Sequence, residues 1–189
     1  MAGIFSTPRL HVRQFVMSDD TALHRVCGDR RTMRLVGDGR ILDLGECRQW
    51  IRASMDHYAA LGHGAWAVCA RDEGLREKGK ADEINGRADV AVEPELIGYC
   101  GIVPARRRSD PELIYALLPR CWGRGLASEL VPALVDHGFA ACGLSRLVAT
   151  VRLENVASVR VLDRAGMHCA GEELAAEGIP HLVYALDKR

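Results

Sequence analysis

The stretch LLPRCWGRGLASEL, residues 117–130, joins an apolar, strand-like run to a segment with helical periodicity. Two glycines, Gly123 and Gly125, and two arginines, Arg120 and Arg124, lie at the junction. Because glycine lacks a Cβ, the backbone N–H groups around it can approach a bound anion closely. The helix that follows directs the positive end of its dipole at the same place. The pattern favours a phosphate-binding turn, although a strand-to-helix connection can also use glycine for its geometry alone.

Two common nucleotide-binding patterns do not fit this turn. A dinucleotide-binding turn reads G-x-G-x-x-G, and Ser128 stands where the third glycine should lie. The acidic residue that should end the next strand is also missing, since LVATVRLEN offers only Glu154. The Gly-Lys-Ser/Thr ending of a Walker A loop is absent as well. If the turn binds phosphate, its ligand therefore belongs to neither of these two nucleotide-binding classes.

Length and composition predict one globular domain. The chain has 189 residues, of which 48% are hydrophobic and 26% charged, ordinary values for a single core. A formal net charge of zero gives no global attraction to nucleic acid or to an anionic membrane. We find neither a membrane-spanning apolar run nor a signal-peptide pattern. The seven cysteines form no CxxC pair and the histidines lack metal-ligand spacing, so we expect a reducing cytoplasm and no metal site.

Hydrophobic periodicity predicts strands and helices in a mixed α/β order. The predicted strands cover residues 9–15, 65–70, 96–103, 112–118, 145–151 and 181–187. The predicted helices cover residues 18–27, 46–61, 125–141 and 155–166, with an irregularity at Pro132 in the third. Residues 71–95 are charge-dense and glycine-containing, so they are predicted to form a solvated loop, with a substrate-covering lid as the alternative.

With these elements in place, the chain resembles the GNAT superfamily of acyl-CoA-dependent N-acyltransferases. Arg120, Gly123 and Gly125 match the family's pyrophosphate motif Q/R-x-x-G-x-G/A in order. The longer pattern Pro-x-x-Trp-Gly-x-Gly-x-Ala-x-Glu, at residues 119–129, is similar to the branch of RimJ and RimL, the ribosomal-protein N-terminal acetyltransferases. TPRLHVRQF, LIGYCGI and ENVASVRVLDRAGM also resemble that branch. The resemblance covers nearly the whole chain, with residues 71–95 as the main exception.

The resemblance implies an α/β (α+β) fold class, the GNAT fold. Its central sheet is mixed and mostly antiparallel, is flanked by helices, and has its fourth and fifth strands, ELIYALL and SRLVATV, splayed apart at a β-bulge. One domain would cover residues 1–189, with a polar insertion at about 71–95. The pantetheine arm of acetyl-CoA, or of another acyl-CoA, would lie in the gap and pair with the backbone near Leu117 and Leu118. Such pairing would satisfy main-chain groups that otherwise lack partners.

The same resemblance implies which residues hold the co-substrate. These residues are Leu117, Leu118, Arg120, Trp122, Gly123, Arg124, Gly125, Leu126, Ala127, Asn155 and Ser158. Asn155 also has an ordinary explanation, because asparagine is a favoured N-cap of a helix. The arginine run at 106–108 is interpreted as a solvated turn, with contact to an acidic acceptor or to the 3′-phosphate of CoA as the alternative.

The implied reaction is direct attack of a primary amine on the thioester in a ternary complex. It needs a proton acceptor, a polarised carbonyl and a proton donor for the leaving thiolate. Glu112 occupies the place where several relatives keep a strand glutamate and is the predicted base, the alternative being a solvated edge-of-strand residue. Many family members use a tyrosine as the acid, but this chain has Leu162 there. Ser158, which the branch keeps, is the candidate donor, with helix packing as the alternative.

The amine acceptor stays open, as a protein N-terminus or a small molecule. Where the branch has Gly-Phe and then Glu-Gly, this chain has GMHCAG, with Met167 and Ala170 at the changed positions. No nucleic acid or membrane partner is expected, and the resemblance leaves a homodimer open. A catalytically silent acyl-CoA sensor of the same fold is the alternative function, and a nucleotide-binding structural protein is the third.

Overall fold

A computed structural model describes residues 3–71, 94–105, 109–174 and 178–188. Apart from its flanks, the predicted polar loop at 71–95 lies outside the described residues, and so does the arginine run at 106–108.

The described residues form eight strands in one sheet, with helices packed on both faces. The strands are β1 (Gly3–Ser6), β2 (Leu10–Arg13), β3 (Ala65–Ala70), β4 (Leu96–Pro104), β5 (Pro111–Leu117), β6 (Arg146–Arg152), β7 (His168–Leu174) and β8 (Pro180–Asp187). The helices are α1 (Asp20–Cys27), α2 (Arg30–Met33), α3 (Leu44–Leu61), α4 (Leu126–Ala140) and α5 (Val156–Arg164). Two short 3₁₀ turns, Met17–Asp19 and Pro119–Cys121, precede α1 and α4.

The strand order is β1-β2-β3-β4-β5-β6-β8-β7, and every neighbouring pair is antiparallel except β5 and β6. This arrangement confirms the expected mixed, mostly antiparallel sheet. The parallel pair β5–β6 has a single register contact, between Glu112 and Val148. Beyond that contact the two strands diverge, which is the expected splay between the ELIYALL and SRLVATV strands.

The expected β-bulge is not present in the pairing of β5 with β4. Their register runs without a shift from Gly98–Leu117 to Pro104–Pro111. The gap therefore opens because β6 leaves β5 after one pair, and an extra residue in β5 is not needed to explain it.

The two faces of the sheet carry different helices. Trp50 of α3 packs edge-on against Tyr99 of β4, with ring centroids 4.7 Å apart. Gly138 of α4 lies against Ile102 of β4, where an added Cβ would come within 2.7 Å of the isoleucine Cδ1. Because alternate strand residues point to opposite faces, Tyr99 and Ile102 define two faces. We call the α3 side the first face and the α4 side the second face.

Most predicted elements are observed within a few residues of their expected ends. Helix α3 begins at Leu44, earlier than expected, because Asp43 caps it and forms a reciprocal capping box with Glu46. The irregularity expected at Pro132 does not end α4, which continues to Ala140. β1, α2 and β7 were not predicted.

Candidate active site

The glycine turn, defined here as residues 120–127, links β5 to α4. Gly123 has φ +70° and Gly125 has φ +75°, values that favour glycine strongly over every residue with a Cβ. A Cβ at Gly123 would meet no atom within 4 Å, so backbone conformation and not crowding explains the glycine. α4 begins at Leu126, so the first N–H groups of the helix lack intrahelical partners beside this turn. The exposed turn can therefore present several N–H donors to an anion.

A set of contacts ties the glycine turn to the hairpin of β1 and β2, and we call it the Arg9–Glu129 lock. Glu129, in the first turn of α4, accepts hydrogen bonds from the Arg9 side chain at 2.7 Å, from the Arg9 backbone N–H at 2.9 Å and from the Thr7 hydroxyl. Arg9 Nη1 also donates to the carbonyl of Arg124 at 2.9 Å. Burial raises the pKa of Glu129, but these donors together hold it below its usual value.

Sequence reasoning missed the lock. Thr7 and Arg9 belong to TPRLHVRQF, and Glu129 ends the motif at residues 119–129, so both motifs were noticed only as signs of family. The lock gives the two motifs a shared physical role, because Arg9 of the hairpin donates both to the Glu129 carboxylate in α4 and to the Arg124 carbonyl of the turn.

The two arginines of the turn have different surroundings. Arg120 Nη2 lies 2.9 Å from Glu95 Oε1, and the same oxygen lies 3.5 Å from Arg25 Nη1. Arg120 lines a separate cavity of about 480 Å³ beside α1, away from the cleft described below. Arg124 is exposed and its carbonyl belongs to the lock. The phosphate contact predicted for Arg120 would therefore have to compete with Glu95.

Leu117 and Leu118, at the end of β5, are the two residues whose backbone is predicted to pair with pantetheine. Only one of them has its N–H directed into the gap. Leu118 N–H donates to Ile97 O at 2.9 Å and is thus taken by β4. Leu117, one residue earlier, points its N–H and C=O away from β4 because antiparallel pairs alternate. Its carbonyl accepts a hydrogen bond from the Trp122 indole at 2.7 Å. The Leu117 N–H fits the predicted role, whereas the Leu118 N–H does not.

The splay between β5 and β6 forms a cleft of about 760 Å³ that is lined from both faces of the sheet. Its first-face wall includes Glu112, Thr150, Arg152, Glu173 and His181. Its second-face wall includes Tyr115, Asn155, Ser158 and Leu162. Two ligands that approach from opposite faces can meet in this gap.

Glu112 lies in the cleft wall, partly buried, and not at a solvated edge. One of its carboxylate oxygens accepts a hydrogen bond from the Thr150 hydroxyl across the gap. That contact fixes the orientation of the carboxylate and leaves the other oxygen for a further donor. The geometry is compatible with a base at this position.

Asn155 and Ser158 are next to each other at the start of α5. The Asn155 side-chain oxygen accepts the Ser158 backbone N–H at 3.2 Å, so Asn155 is the N-cap of α5. Both residues line the cleft, as does Leu162, the position that the resemblance assigns to a tyrosine. Asn155 therefore caps α5 and lines the cleft at the same time.

Tyr115 is a cleft residue to which the sequence pattern assigned no role. Its hydroxyl is buried, and no group among the described residues meets hydrogen-bond geometry with it. Burial raises the pKa of Tyr115 to about 12, and the nearby Ser158 hydroxyl lowers it. The alternation in ELIYALL already placed Tyr115 on the face of Leu113 and Leu117, but only the fold shows that α5 covers this face.

His181 is a second cleft residue that the sequence did not single out. It is buried, and its Nδ1 lies 3.0 Å from Ile179 O, an acceptor that requires the proton on Nδ1. In neutral histidine this assignment leaves Nε2 as a proton acceptor. Beside it, Arg152 donates to the Gly37 carbonyl at 3.1 Å and holds the loop before α3 against the cleft.

Within the described ranges, no group of three or more His, Cys, Asp or Glu side chains could hold a metal ion. In the same part of the chain, no helix is long and apolar enough to span a membrane.

A mixed sheet splayed at its parallel strand pair, with a glycine turn before the next helix and a cleft open to both faces, defines the class of acyl-CoA-dependent acyltransferases with the GNAT fold. Residues 9–168 match the acetyltransferase (GNAT) domain family, and the chain belongs to this family. It is thus a GNAT N-acetyltransferase by family and by fold.

Individual relatives agree with this assignment. The chain is 28% identical over 172 residues to the uncharacterized N-acetyltransferase YoaA of Bacillus subtilis (strain 168), covering 90% of this chain and 86% of the relative. RimL, a ribosomal L7/L12 alpha-N-protein acetyltransferase solved in complex with coenzyme A, has a TM-score of 0.74 at 16% identity, covering 98% of both chains. YncA from Salmonella typhimurium, solved with acetyl-CoA, has a TM-score of 0.65 at 17% identity and covers 94% of this chain and 93% of its own. At these identities the two structures show the shared fold alone.

Proposed function

We propose that this protein transfers an acetyl group from acetyl-CoA to a primary amine by direct attack in a ternary complex. The observation that carries the proposal is the cleft between β5 and β6, which is lined by the candidate base Glu112 on one face of the sheet and by Asn155 and Ser158 on the other. The glycine turn follows β5 directly in the chain. The relatives named as N-acetyltransferases support the acetyl group over longer acyl chains.

On the co-substrate side, the protein supplies main-chain donors. The N–H groups of the glycine turn bind the diphosphate, with Trp122, Arg124, Leu126 and Ala127 as the surrounding residues. Leu117 N–H pairs with the pantetheine arm, and Asn155 and Ser158 bound the arm from α5. Arg120 contributes chiefly by fixing the turn through Glu95.

On the acceptor side, Glu112 removes a proton from the ammonium group so that the amine lone pair can attack the thioester carbonyl carbon. The tetrahedral intermediate passes its second nitrogen proton to solvent water and then collapses to the amide. As the C–S bond breaks, its electron pair goes to sulfur. Ser158 donates a hydrogen bond to that sulfur. These roles for Glu112 and Ser158 rest on their positions at opposite sides of the gap.

The acceptor wall supports an amine of low charge over a polycation. Asp38, Glu46, Glu112 and Glu173 line it, but Arg40 and Arg152 line it as well, and Arg40 pairs with Glu46. The acceptor is therefore a protein N-terminus or a small-molecule amine. RimL, with the same fold, is named for a ribosomal protein N-terminus.

We also propose one domain over residues 1–189, a cytoplasmic site of action and no metal requirement. The seven free thiols and the zero net charge support the cytoplasm and argue against a nucleic acid or membrane partner. A homodimer remains a prediction from the resemblance.

The test is thiol release from acetyl-CoA with a panel of amines: an N-terminally free peptide, a polyamine, an aminoglycoside and an amino-acid amide. We expect turnover with at least one class, together with thermal stabilisation by acetyl-CoA. Stabilisation without turnover on any amine would instead support the silent sensor. Stabilisation by NAD or ATP in preference to CoA would support the nucleotide-binding alternative.

A further inference from the structure

Tyr115 carries a buried hydroxyl on the second-face wall of the cleft. Within the described part of the chain, no group meets hydrogen-bond geometry with Tyr115 Oη. A buried hydroxyl without a partner lowers stability, so such groups are uncommon unless they serve a ligand or a reaction. Tyr184 is on the same face of the sheet, near Asp163, but it is not among the described residues that line the cleft.

The polar group that acts on Tyr115 is the Ser158 hydroxyl, whose interaction lowers the pKa of a phenol that burial otherwise raises. The backbone of Ser158 is held in place, because its N–H donates to the side-chain oxygen of the N-cap Asn155. Both side chains line the second-face wall of the cleft. Catalytic hydrogen bonds are often long or bent in the free enzyme and tighten only when the ligand binds.

We propose that Tyr115 and Ser158 form a hydroxyl relay to the leaving sulfur: Tyr115 donates to Ser158 Oγ, and Ser158 donates to the thiolate. Tyr115 is then a positioning residue that acts through Ser158. This proposal rests on the proposed function. Many family members have a tyrosine at the position of Leu162, in α5; here the tyrosine that assists the leaving sulfur would come from strand β5.

The relay adds no net proton to the reaction. When the C–S bond breaks, its electron pair stays on sulfur and the Ser158 O–H hydrogen-bonds to that charge. Tyr115, which stays protonated at neutral pH, donates to Ser158 Oγ and prevents the serine proton from turning away. The thiolate takes its proton from solvent after it leaves.

The decisive experiment titrates the thiol of bound CoA by its ultraviolet thiolate absorbance, which needs no knowledge of the acceptor. We expect the native protein to bind CoA and to lower the pKa of its thiol relative to free CoA. In Tyr115→Phe and in Ser158→Ala the thiol pKa should return toward the free value while CoA still binds. Tyr184→Phe, the matched control, should behave like the native protein.

A double-mutant cycle separates a relay from two independent donors. Each single variant should lower kcat by about ten- to a hundredfold, the effect of one hydrogen bond to a charged group, with little change in the KM for acetyl-CoA. The double variant should lose no more than either single one. The melting temperature of Tyr115→Phe should stay close to the native value, since no group in the described part of the chain meets hydrogen-bond geometry with the lost hydroxyl.

The outcomes distinguish failure of the proposed acetyl transfer from failure of the hydroxyl relay. If the native protein binds no CoA, the proposed function fails first. If CoA binds but its thiol titrates identically in the native protein and in Tyr115→Phe, the relay is wrong while the function stands. Additive losses in the double variant would likewise overturn the relay.

Discussion

Gly123 and Gly125 show how much one residue can decide in this fold. Both have left-handed backbone conformations, and neither is there to avoid a close neighbour. Together they turn the chain from β5 into α4, where the first N–H groups of the helix lack intrahelical partners. Glu112 and Tyr115, two further single residues, give the cleft a carboxylate on one face and a phenol on the other.

Gly123→Ala should weaken use of acetyl-CoA. An L-residue at φ +70° costs about 1–2 kcal/mol, so the turn will relax and move its N–H groups. The KM for acetyl-CoA should rise about fivefold to thirtyfold in steady-state kinetics. Gly143→Ala is the matched control, because Gly143 has φ +68° and equally open surroundings but lies beyond the other end of α4. A KM that rises equally in both variants would show a general loss of stability.

Glu112→Gln should lower kcat/KM about a hundredfold, the usual contribution of a general base. Glu172→Gln, on the exposed edge strand β7, is the control and should leave kcat/KM unchanged. If Glu112→Gln keeps the native kcat/KM, the base is another group, and His181 is the next to test.

At the scale of elements, the Arg9–Glu129 lock joins the first hairpin to the start of α4. Two motifs that are far apart in the chain, TPRLHVRQF and residues 119–129, meet in this lock and together hold the glycine turn in place. The lock is mostly buried at Glu129, whose side chain is 15% exposed. Loss of the lock should therefore lower the free energy of unfolding and weaken binding of the diphosphate.

Glu129→Gln should reduce the free energy of unfolding by about 2 kcal/mol, since charge-assisted hydrogen bonds are lost. It should also raise the KM for acetyl-CoA. The folded-state pKa of Glu129 is depressed, so its stabilisation is present above the unfolded pKa of about 4.3 and is lost as pH falls through the folded value. Urea titrations at pH 7 and at acid pH should show the variant and the native protein converging in acid. A constant difference at both pH values would contradict this origin.

Elements were predictable where local signals agreed. β3 and β4 are continuous apolar runs, and α3 and α5 have asparagine or aspartate caps and apolar periodicity. β7 was missed because HCAGEEL has no apolar alternation and is largely exposed, its strand state being imposed by pairing with β8. α2 was missed because four residues carry too little periodicity.

At the scale of the molecule, the cleft is a consequence of topology. β5 and β6 touch at Glu112 and Val148 and then separate, so residues from β5, β6, α5 and β8 converge on one gap. The family motifs predicted the co-substrate side, including the cap Asn155. They could not predict Thr150 against Glu112, Ser158 beside Tyr115 or the buried His181, because those contacts depend on which strands become neighbours.

Calorimetric titration with CoA and with pantetheine, which lacks the diphosphate, tests the central claim most directly. If the glycine turn holds the diphosphate, CoA will bind with measurable heat and pantetheine at least about 100-fold more weakly, because two or more hydrogen bonds to charged oxygens are lost. The affinity for CoA will also fall as salt is added. Equal affinities for the two ligands, or no heat with CoA at millimolar concentration, would contradict the account.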